Sequence, residues 1–468
     1  MASPKTRLTT PNRWSPKGEA MSTRDKNLAV WGGIVGEKVR VRITRRGANR
    51  DYGEVQQVLE PSNYRVQPPC ERVDSCGGCS WMHMDTAGQH RAKTALVRYA
   101  LREEDLEDQI PVLPMIDGPM EDFRHVIKLI AGVGDRGRAR LGAPARFTRR
   151  VVPIPQCNVV TPELRRFTGH AAHKMLELDV RPFTPEAGGL LRYIHARQSR
   201  HSGEILVTVV ATRENGLIRK YCEALAFEAV SGVHLHLNTR EDNTIFDRDD
   251  EGHVPTKRMW GRPKITESLL GVELQVGAGD FFQTNPVIAE KLYQHVAEQA
   301  GATEGVPVVD LYSGVGGFAL ALAKRTGWAV GVEGNGNAVD SALLSARKAG
   351  VPAEFLHADV QYALEDLEET LQGRRPVVIV NPARRGLEKG VGSQILQLKP
   401  RRVVYVSCNP YALARDLRNF VARGWTVSSL QPFDMFPNTP HVEVVARIDA
   451  PDADEAPTLR APRRTMVR

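Results

Sequence analysis

The sequence of 468 residues predicts an α/β protein with a doubly wound C-terminal sheet, a mixed α/β central domain and a small basic N-terminal β-barrel. Three observations predict this architecture. Strand-like and helix-like segments alternate in the C-terminal third, as in a parallel sheet with helical crossovers. Apolar and basic residues alternate near the N-terminus, which is typical of a half-exposed strand. A tight group of cysteines lies between these regions, in a chain with six cysteines in all.

The composition is that of a globular protein, with 41% hydrophobic and 25% charged residues. The sequence contains no run of about 18 apolar residues, which a membrane-spanning helix would need. The polar N-terminus lacks the apolar core of a secretory signal. We therefore expect a cytoplasmic protein without a membrane partner. The formal net charge of +8 favours a polyanionic partner, provided that the basic residues share one face.

The chain divides into five segments. Residues 1–28 are polar and lack periodicity, so we expect a disordered tail. Residues 29–69 contain "KVRVRITRR" and a second strand-like run, which predict a small basic β-barrel or a fragment of one. Residues 70–270 are expected to form the central domain, and residues 271–448 the doubly wound domain. Residues 449–468 are expected to be a second disordered tail.

The C-terminal segment supplies the elements of the doubly wound sheet. The predicted strands are "VPVVDLYSG", "WAVGVEG", "AEFLHADV", "RPVVIVNPARRG", "PRRVVYVSCNP" and "HVEVVARI". The predicted helices are "FALALAKRTG" and "AVDSALLSARKAG". Ligands of such sheets bind at the carboxyl ends of the strands, so the loops that follow these strands are the candidate functional positions.

A glycine-rich turn follows the first of these strands in "DLYSGVGGF". Such a turn lets a ligand approach backbone N–H groups closely. Glu333 ends the next strand, where an acid can accept hydrogen bonds from ribose hydroxyls. The pattern suits a dinucleotide or S-adenosylmethionine, and the alternative is a glycine turn without a ligand.

The cysteine group is C-x5-C-x2-C, formed by Cys70, Cys76 and Cys79. Three thiolates so close together bind a soft metal or an iron–sulfur cluster when a fourth ligand is present. Cys157 is the candidate for that ligand, and zinc would fit the same four residues. Cys222 lies in a helix-like segment and is expected to be an ordinary core cysteine.

Cys408 lies at the tip of a predicted core strand, directly before Asn-Pro. It is either a buried structural thiol or a nucleophile whose thiolate is accessible and stabilised. His441 and Glu443 alternate along the last predicted strand, so their side chains are expected to share a face. A strand-borne carboxylate near a ligand pocket is a candidate general base, and the alternative is a surface glutamate on an edge strand.

The motifs "DFFQTNP", "DLYSGVGGF", "NPARRGL", "YVSCNPYALARDL" and "DMFPNTPHVEVV" together resemble the RNA uracil-C5 methyltransferases, over about residues 30–448. The resemblance implies a Rossmann-like class I methyltransferase domain, a central RNA-binding domain and an OB-like barrel of the TRAM type, here truncated. The cysteine quartet resembles the branch that carries a [4Fe–4S] cluster and mostly modifies ribosomal RNA, including 23S rRNA.

The resemblance also implies roles for individual residues. Cys408 would add to C6 of uracil, so that C5 attacks the methyl group of S-adenosylmethionine, and Glu443 would remove the C5 proton. Phe281 would stack on the target base once this base has been turned out of the stacked bases of the RNA. Gln283 would bridge the base and the cofactor. The implied cofactor positions are Gln283, Tyr312, Gly314, Glu333, Asp359 and Asn381. Asn381 stands where some members have aspartate.

Two alternatives remain open at this stage. One is the same reaction on tRNA, and the other is a non-catalytic iron–sulfur protein that binds RNA or senses redox state. The presence of both Cys408 and Glu443 favours an enzyme. We expect RNA as partner, ribosomal RNA before tRNA, with S-adenosylmethionine and a [4Fe–4S] cluster as cofactors and zinc as the alternative metal. We expect a monomer.

Overall fold

The computed structural model describes residues 6–134, 137–146, 148, 150–186 and 188–451. Within these ranges the helices are α1 (Thr86–Glu103), α2 (Pro162–Glu177), α3 (Gly216–Ala224), α4 (Pro286–Ala300), α5 (Gly317–Thr326), α6 (Gly336–Ala349), α7 (Val360–Leu371), α8 (Val391–Gln397) and α9 (Pro410–Val421). None of these helices is long and apolar enough to cross a membrane. Most of the tail predicted over residues 449–468 lies outside the described residues.

The N-terminal part of the chain forms a six-stranded sheet. Its strands are β1 (Thr6–Thr9), β2 (Arg13–Trp14), β3 (Ala20–Ser22), β4 (Leu28–Trp31), β5 (Lys38–Arg46) and β6 (Asp51–Glu60), in the order β1-β5-β6-β4-β3-β2. The prediction of a disordered tail over residues 1–28 is therefore wrong from residue 6 onward, and the first strands are not missing. Met21 and Leu28 are completely buried in this sheet, and their burial helps to order strands of only three and four residues.

Two basic residues of β5 face acidic partners on β6. Lys38 Nζ lies 2.9 Å from Glu60 Oε1, and Arg42 Nη2 lies 2.9 Å from Glu54 Oε2. Cross-strand pairs of opposite charge stabilise a sheet. The positive charge that the alternating pattern predicted for this face is thus partly balanced within the sheet itself.

The central sheet contains seven strands and lies between the two terminal sheets in sequence. Its strands are β7 (Val126–Val133), β8 (Ala139–Pro144), β9 (Val151–Val152), β10 (Leu191–Gln198), β11 (Ile205–Ala211), β12 (Val230–Leu237) and β13 (Lys257–Gly261), in the order β13-β12-β11-β10-β7-β8-β9. Apolar residues of α2 and α3 pack in one cluster with the sheet. Cys222 of α3 is completely buried in that cluster, which confirms its prediction as a core cysteine.

A hairpin of β14 (Lys264–Leu269) and β15 (Val272–Gly277) follows the central sheet. The predicted domain boundary between residues 270 and 271 falls in the turn of this hairpin. Ile265 and Leu274 are buried in the same apolar cluster as residues of α4, α5 and α6. The hairpin therefore packs with the C-terminal domain, because its apolar side chains are covered there.

The C-terminal sheet contains seven strands and is doubly wound, as predicted. Its strands are β16 (Val308–Leu311), β17 (Ala329–Glu333), β18 (Ala353–His357), β19 (Val377–Val380), β20 (Arg402–Ser407), β21 (Thr426–Phe433) and β22 (Glu443–Asp449), in the order β18-β17-β16-β19-β20-β22-β21. β22 is antiparallel to both of its neighbours. β21 was not predicted, since Ser428 and Ser429 interrupt its apolar pattern.

Helices cover both faces of this sheet. Residues of α4, α5 and α6 share one apolar cluster with it, and residues of α1, α7, α8 and α9 share the other. Helix α1 was expected in the central domain because it follows the cysteines. Its residues Val97 and Leu101 are instead buried in one cluster with Val309 of β16. The predicted central domain thus contains a helix that packs on the C-terminal sheet.

Candidate functional site

The carboxyl ends of the parallel strands bring the predicted cofactor and catalytic residues to one edge of the C-terminal sheet. The residues at or just after these ends, in sheet order from β18 to β20, are Asp359, Glu333, Tyr312, Gly314, Asn381 and Cys408. Such an edge is where doubly wound sheets bind their ligands. The residues predicted from separate motifs therefore lie along one ligand-binding edge.

The turn after β16 is shaped around Glu333. The backbone N–H of Gly314 donates to Glu333 Oε2 at 2.9 Å, and the N–H of Asn335 donates to Oε1 at 2.8 Å. Tyr312 adopts a left-handed conformation with φ of 63°, which is uncommon outside glycine and is found at functional sites. Its hydroxyl donates to Glu388. The two backbone hydrogen bonds hold the Glu333 carboxylate at the end of β17, the position where an acid binds a ribose in doubly wound sheets.

Asp359 and Asn381 extend this edge on either side. Asp359 Oδ1 accepts a hydrogen bond of 3.1 Å from the N–H of Gln361, so the side chain caps α7. The N–H of Asn381 donates to the carbonyl of Leu311, 3.3 Å away, next to the glycine turn. The capping contact uses one carboxylate oxygen of Asp359 and is compatible with a ligand at the other.

Cys408 and Glu443 lie side by side at the ends of neighbouring strands. The register between β20 and β22 pairs Ser407 with Val444, so the next antiparallel position places Cys408 opposite Glu443. Cys408 is half-buried, directly before α9, and Glu443 is 5% exposed. Glu443 Oε2 accepts no hydrogen bond from the described residues, which suits a carboxylate that takes a proton from a ligand.

Burial holds both groups toward their neutral forms, and for Cys408 the charge of Glu443 adds to this effect. Burial raises the pKa of Glu443 to about 8, and the nearby Arg384 guanidinium opposes this increase. Burial, followed by the charge of Glu443, raises the pKa of the Cys408 thiol, while Arg384 lowers it. A carboxyl group with such a pKa is poised to exchange a proton near neutral pH.

Arg384 is the functional residue that sequence reasoning missed. It lies in the quoted motif "NPARRGL" after β19, and its guanidinium is close enough to Cys408 to lower the pKa of the thiol. Its carbonyl accepts a hydrogen bond of 2.8 Å from Asn409 Nδ2, which ties the two loops together. The motif was visible in the sequence, but the tertiary structure was needed to show that its cation lies near both Cys408 and Glu443.

His441 does not share a strand with Glu443, contrary to the prediction. β22 begins at Glu443, and His441 lies exposed in the preceding loop. Its ring still reaches the site, because Arg384 Nη2 lies 2.9 Å from His441 Nδ1. Since arginine has no acceptor, His441 accepts this hydrogen bond in its neutral form. Although His441 is exposed at the surface, the protein atoms packed around its ring desolvate it, and this desolvation, followed by the Arg384 and Lys93 charges, lowers the pKa of His441 to about 4, which favours that form.

The segment 280–285 carries the residues predicted to contact a base. Phe281 is 64% exposed, whereas Phe282 and Gln283 are each 5% exposed. Asn285 Nδ2 donates to the carbonyl of Met435 at 3.3 Å, which joins this segment to the loop before Glu443. An exposed aromatic ring thus projects from a segment whose neighbouring side chains are buried.

The loop between β21 and β22, residues 434–442, is held by helix α1. Lys93 Nζ donates to Asp434 Oδ1 at 2.5 Å and to the carbonyl of Phe436 at 3.0 Å. Gln89 accepts from the N–H of Asn438 at 2.7 Å and donates to its side chain at 3.2 Å. Lys93 and Asp434 are almost completely buried. α1 therefore positions the loop that leads into Glu443.

The same loop contacts two further parts of the chain. The N–H of Trp81 donates to the carbonyl of Asn438 at 2.9 Å, and Trp81 Nε1 donates to the carbonyl of Gly18 at 2.8 Å. Pro440 packs so closely on Gly18 that a Cβ there would overlap it. The N-terminal sheet and the segment after the cysteines thus both support the β21–β22 loop.

Replacing Lys93 with Met is expected to lower the free energy of unfolding by about 3–5 kcal/mol, because it leaves the buried Asp434 charge without its partner. Chemical denaturation measures this change. Lys174→Met removes a partly exposed lysine whose partner is Glu177 and is the matched control, with an expected loss of about 0.5 kcal/mol or less. Equal losses in the two variants would contradict the role of Lys93.

The four predicted metal ligands line one cavity of about 590 Å³. Burial, followed by the charges of the neighbouring Cys157, Cys76 and Cys70, raises the pKa of Cys79 to about 12. Residues 436–437 and 439–441 of the β21–β22 loop line the same cavity. The four cysteines therefore line one cavity, which the loop leading into Glu443 also lines.

The arrangement of these thiols is nevertheless not that of a formed metal site. Among the residues that the structure describes, no group of three or more His, Cys, Asp or Glu side chains is placed to hold a metal ion. The donor set itself fits a soft metal, since it consists of four thiols. Arg124 lies close enough to Cys157 and Cys79 to interact with their charge, which would offset part of the charge of bound thiolates.

Comparisons with known proteins agree with this geometry. Residues 366–448 match the family model described as tRNA (uracil-5-)-methyltransferase. An uncharacterized RNA methyltransferase of Gloeobacter violaceus is 33% identical, covering 92% of this chain and 93% of its own. One from Caldanaerobacter subterraneus subsp. tengcongensis is 31% identical, covering 91% of this chain and 94% of its own.

A solved structure resembles the whole chain. The tRNA (uracil-54, C5)-methyltransferase of Pyrococcus abyssi, in complex with S-adenosyl-L-homocysteine, has a TM-score of 0.73 and 25% sequence identity. The match covers 94% of this chain and 100% of that chain. The matched family region contains Asn381, Arg384, Cys408 and Glu443, which the structure gathers at the edge of the sheet. This chain therefore belongs to the RNA uracil-C5 methyltransferase family and is an S-adenosylmethionine-dependent RNA methyltransferase.

Proposed function

We propose that the enzyme methylates C5 of a uridine through a covalent adduct between Cys408 and C6, with Glu443 as the general base. The observation that carries this proposal is the placement of Cys408 opposite Glu443 in the strand register, with Arg384 beside both. A thiolate that adds to C6 makes C5 nucleophilic, so that C5 can attack the methyl group of S-adenosylmethionine. Glu443 then removes the C5 proton, and elimination releases the thiolate of Cys408.

The remaining site residues are assigned by the same proposal. Phe281 stacks on the target uracil after this base has been turned out of the stacked bases of the RNA. Gln283 lies between the base and the cofactor. The proposed cofactor-binding residues are Gln283, Tyr312, Gly314, Glu333, Asp359 and Asn381. S-adenosylmethionine supplies the methyl group when bound. The N-terminal sheet is proposed to correspond to the OB-like, TRAM-type barrel that the family resemblance implies, and the central domain is proposed to bind RNA.

We propose 23S ribosomal RNA as the substrate, because the cysteine quartet resembles the branch that modifies ribosomal RNA. A second candidate is tRNA. It is favoured by the likeness over 94% of this chain to a solved tRNA (uracil-54, C5)-methyltransferase. The two candidates share every catalytic residue, so only the RNA product distinguishes them.

The test of this proposal is methyl transfer from labelled S-adenosylmethionine to undermodified ribosomal RNA and tRNA, offered separately. The products are digested to nucleosides and assayed for 5-methyluridine. We expect 5-methyluridine in ribosomal RNA. Label confined to tRNA would establish the second candidate, and the absence of 5-methyluridine from both RNAs would overturn the proposed reaction.

We also propose that Cys70, Cys76, Cys79 and Cys157 hold a [4Fe–4S] cluster, with zinc as the alternative. Their shared cavity and the nearby Arg124 support this assignment. Protein purified without oxygen is expected to contain about four iron atoms per chain. Cys79→Ser is expected to lose this iron, whereas Cys222→Ser, in the apolar core, is expected to keep it. Stoichiometric zinc without iron would identify the alternative metal, and equal metal content in the two variants would contradict the ligand set.

The pH dependence of the reaction is expected to report on Arg384. Because Glu443 has a pKa of about 8, its basic form increases as pH rises, and kcat/KM is expected to rise through that range. The Arg384 cation favours the charged forms of both Glu443 and Cys408. Arg384→Met is therefore expected to move the rise in kcat/KM to higher pH by about one unit or more.

A pH–rate profile of the two proteins measures this shift. Arg385→Met is the matched control, since the neighbouring Arg385 pairs with Glu388 at 3.0 Å and is largely exposed. Its profile is expected to keep the wild-type midpoint. Coincident midpoints for Arg384→Met and the wild type would contradict an electrostatic role of Arg384.

A further inference from the structure

Arg197 is a buried arginine of the central sheet that reaches the base-contacting segment. It lies on β10 and is 4% exposed. Its Nη2 donates to the carbonyl of Asp280 at 3.0 Å, and its Nη1 donates to the carbonyl of Phe282 at 3.3 Å. These two carbonyls flank Phe281. One guanidinium therefore spans the backbone on both sides of the exposed aromatic ring.

The charge of Arg197 is balanced by buried carboxylates nearby. Burial lowers the pKa of Arg197 to about 10, while Glu267 and Asp280 raise it, so the guanidinium stays charged at neutral pH. Asp280 Oδ2 accepts from the N–H of Gly277 at 2.6 Å and from Ser341 Oγ at 2.5 Å. Burying the Arg197 charge costs free energy even with these carboxylates nearby. The hydrogen bonds of this buried guanidinium end on the segment that carries Phe281.

Further contacts fix the ends of the same segment. The N–H of His125, just before β7, donates to the carbonyl of Thr284 at 2.9 Å. Asn285 Nδ2 donates to the carbonyl of Met435. Phe281 is thus an exposed ring on a backbone that is held from the central sheet on one side and from the β21–β22 loop on the other. A ring fixed in this way is preorganised for stacking, because little entropy is lost when a base binds.

We propose that Arg197 is a positioning residue for the substrate base, and that it acts by holding the backbone on both sides of Phe281 so that the ring can stack on the uracil. This inference rests on the proposed function, since it takes Phe281 as the base-stacking residue. It assigns to the central sheet a role in gripping the target nucleotide, although that sheet lies outside the methyltransferase domain.

The experiment compares Arg197→Lys, Phe281→Ala and the double variant in kcat and KM for methyl transfer to the RNA that the wild type modifies. Lysine keeps the charge but lacks the planar fork that spans two carbonyls. Each single variant is expected to lower kcat/KM by about 5- to 150-fold, the range of base–aromatic stacking. The affinity for S-adenosylmethionine is expected to stay unchanged.

The double variant separates positioning from a general structural role. If Arg197 acts through Phe281, Arg197→Lys is expected to cause little further loss once Phe281 is Ala, within about twofold. Arg192→Lys is the matched control, because Arg192 lies on the same strand, is 5% exposed, and donates to the carbonyls of Asn238 and Asp242 at 3.2 and 2.8 Å. This control is expected to keep kcat/KM within about twofold of the wild type.

The outcomes distinguish the inference from the proposed function. Wild-type protein that forms no 5-methyluridine, or a Phe281→Ala variant with full activity, would overturn the corresponding part of the proposed function and this inference with it. Full activity of Arg197→Lys, or losses that multiply in the double variant, would overturn this inference alone. Thermal unfolding of all variants shows whether the folded fractions are equal.

Discussion

Replacing Cys408 with Ala is expected to lower methyl transfer by at least about 10⁴-fold, because removal of a covalent nucleophile eliminates the step that activates C5. Binding of S-adenosylmethionine is expected to stay near the wild-type value, since the proposed cofactor-binding residues at the ends of β16, β17 and β18 are unchanged. Single-turnover methylation and equilibrium dialysis of labelled cofactor measure the two effects separately.

Cys222→Ala is the matched control for this variant. Cys222 is completely buried in α3, in the apolar cluster of the central sheet. The substitution removes a thiol without touching the catalytic edge, and methylation is expected to stay at the wild-type rate. Methyl transfer by Cys408→Ala at more than a small percentage of the wild-type rate would exclude Cys408 as the nucleophile.

Replacing Glu443 with Gln is expected to stop the reaction after methyl transfer, with turnover lowered by about 10²- to 10⁴-fold. Glutamine fills the same space but cannot take the C5 proton, so the bond between Cys408 and the methylated uridine cannot be released. A protein–RNA species that survives denaturation is expected to accumulate. Denaturing gel electrophoresis with methyl-labelled cofactor detects it.

Two comparisons make this prediction specific. The double variant with Cys408→Ala is expected to form no such species, because the covalent bond requires the thiol. Glu273→Gln, an exposed glutamate in β15, is expected to turn over like the wild type. Normal turnover by Glu443→Gln without a trapped species would show that another group acts as the base.

The C-terminal fold could be predicted from sequence because its signals are local. Each parallel strand is a short apolar run that ends in a distinctive loop, and the carboxyl ends of such strands share one edge. The positions of Glu333, Asn381 and Cys408 along that edge follow from this rule alone. The pairing of Cys408 with Glu443 additionally requires the antiparallel insertion of β22 between β20 and β21.

The features that were missed depend on contacts between distant parts of the chain. The strands β1 to β4 are two to four residues long, and such short runs carry little periodicity. The packing of α1 on the C-terminal sheet and the approach of Arg384 to both Cys408 and Glu443 are set by tertiary structure. His441 was misplaced because the strand begins two residues later than its alternating pattern suggested.

The support of the β21–β22 loop has a consequence for how the enzyme becomes active during its synthesis. Lys93 and Asp434 are separated by 341 positions in the chain, so their contact closes a very long loop and forms only after synthesis has passed Asp434. A growing chain that already contains the cofactor edge still lacks the support that places Glu443. Methylation activity therefore requires contacts between distant parts of the chain that form late in synthesis. Chains that end before Asp434 are expected not to methylate RNA.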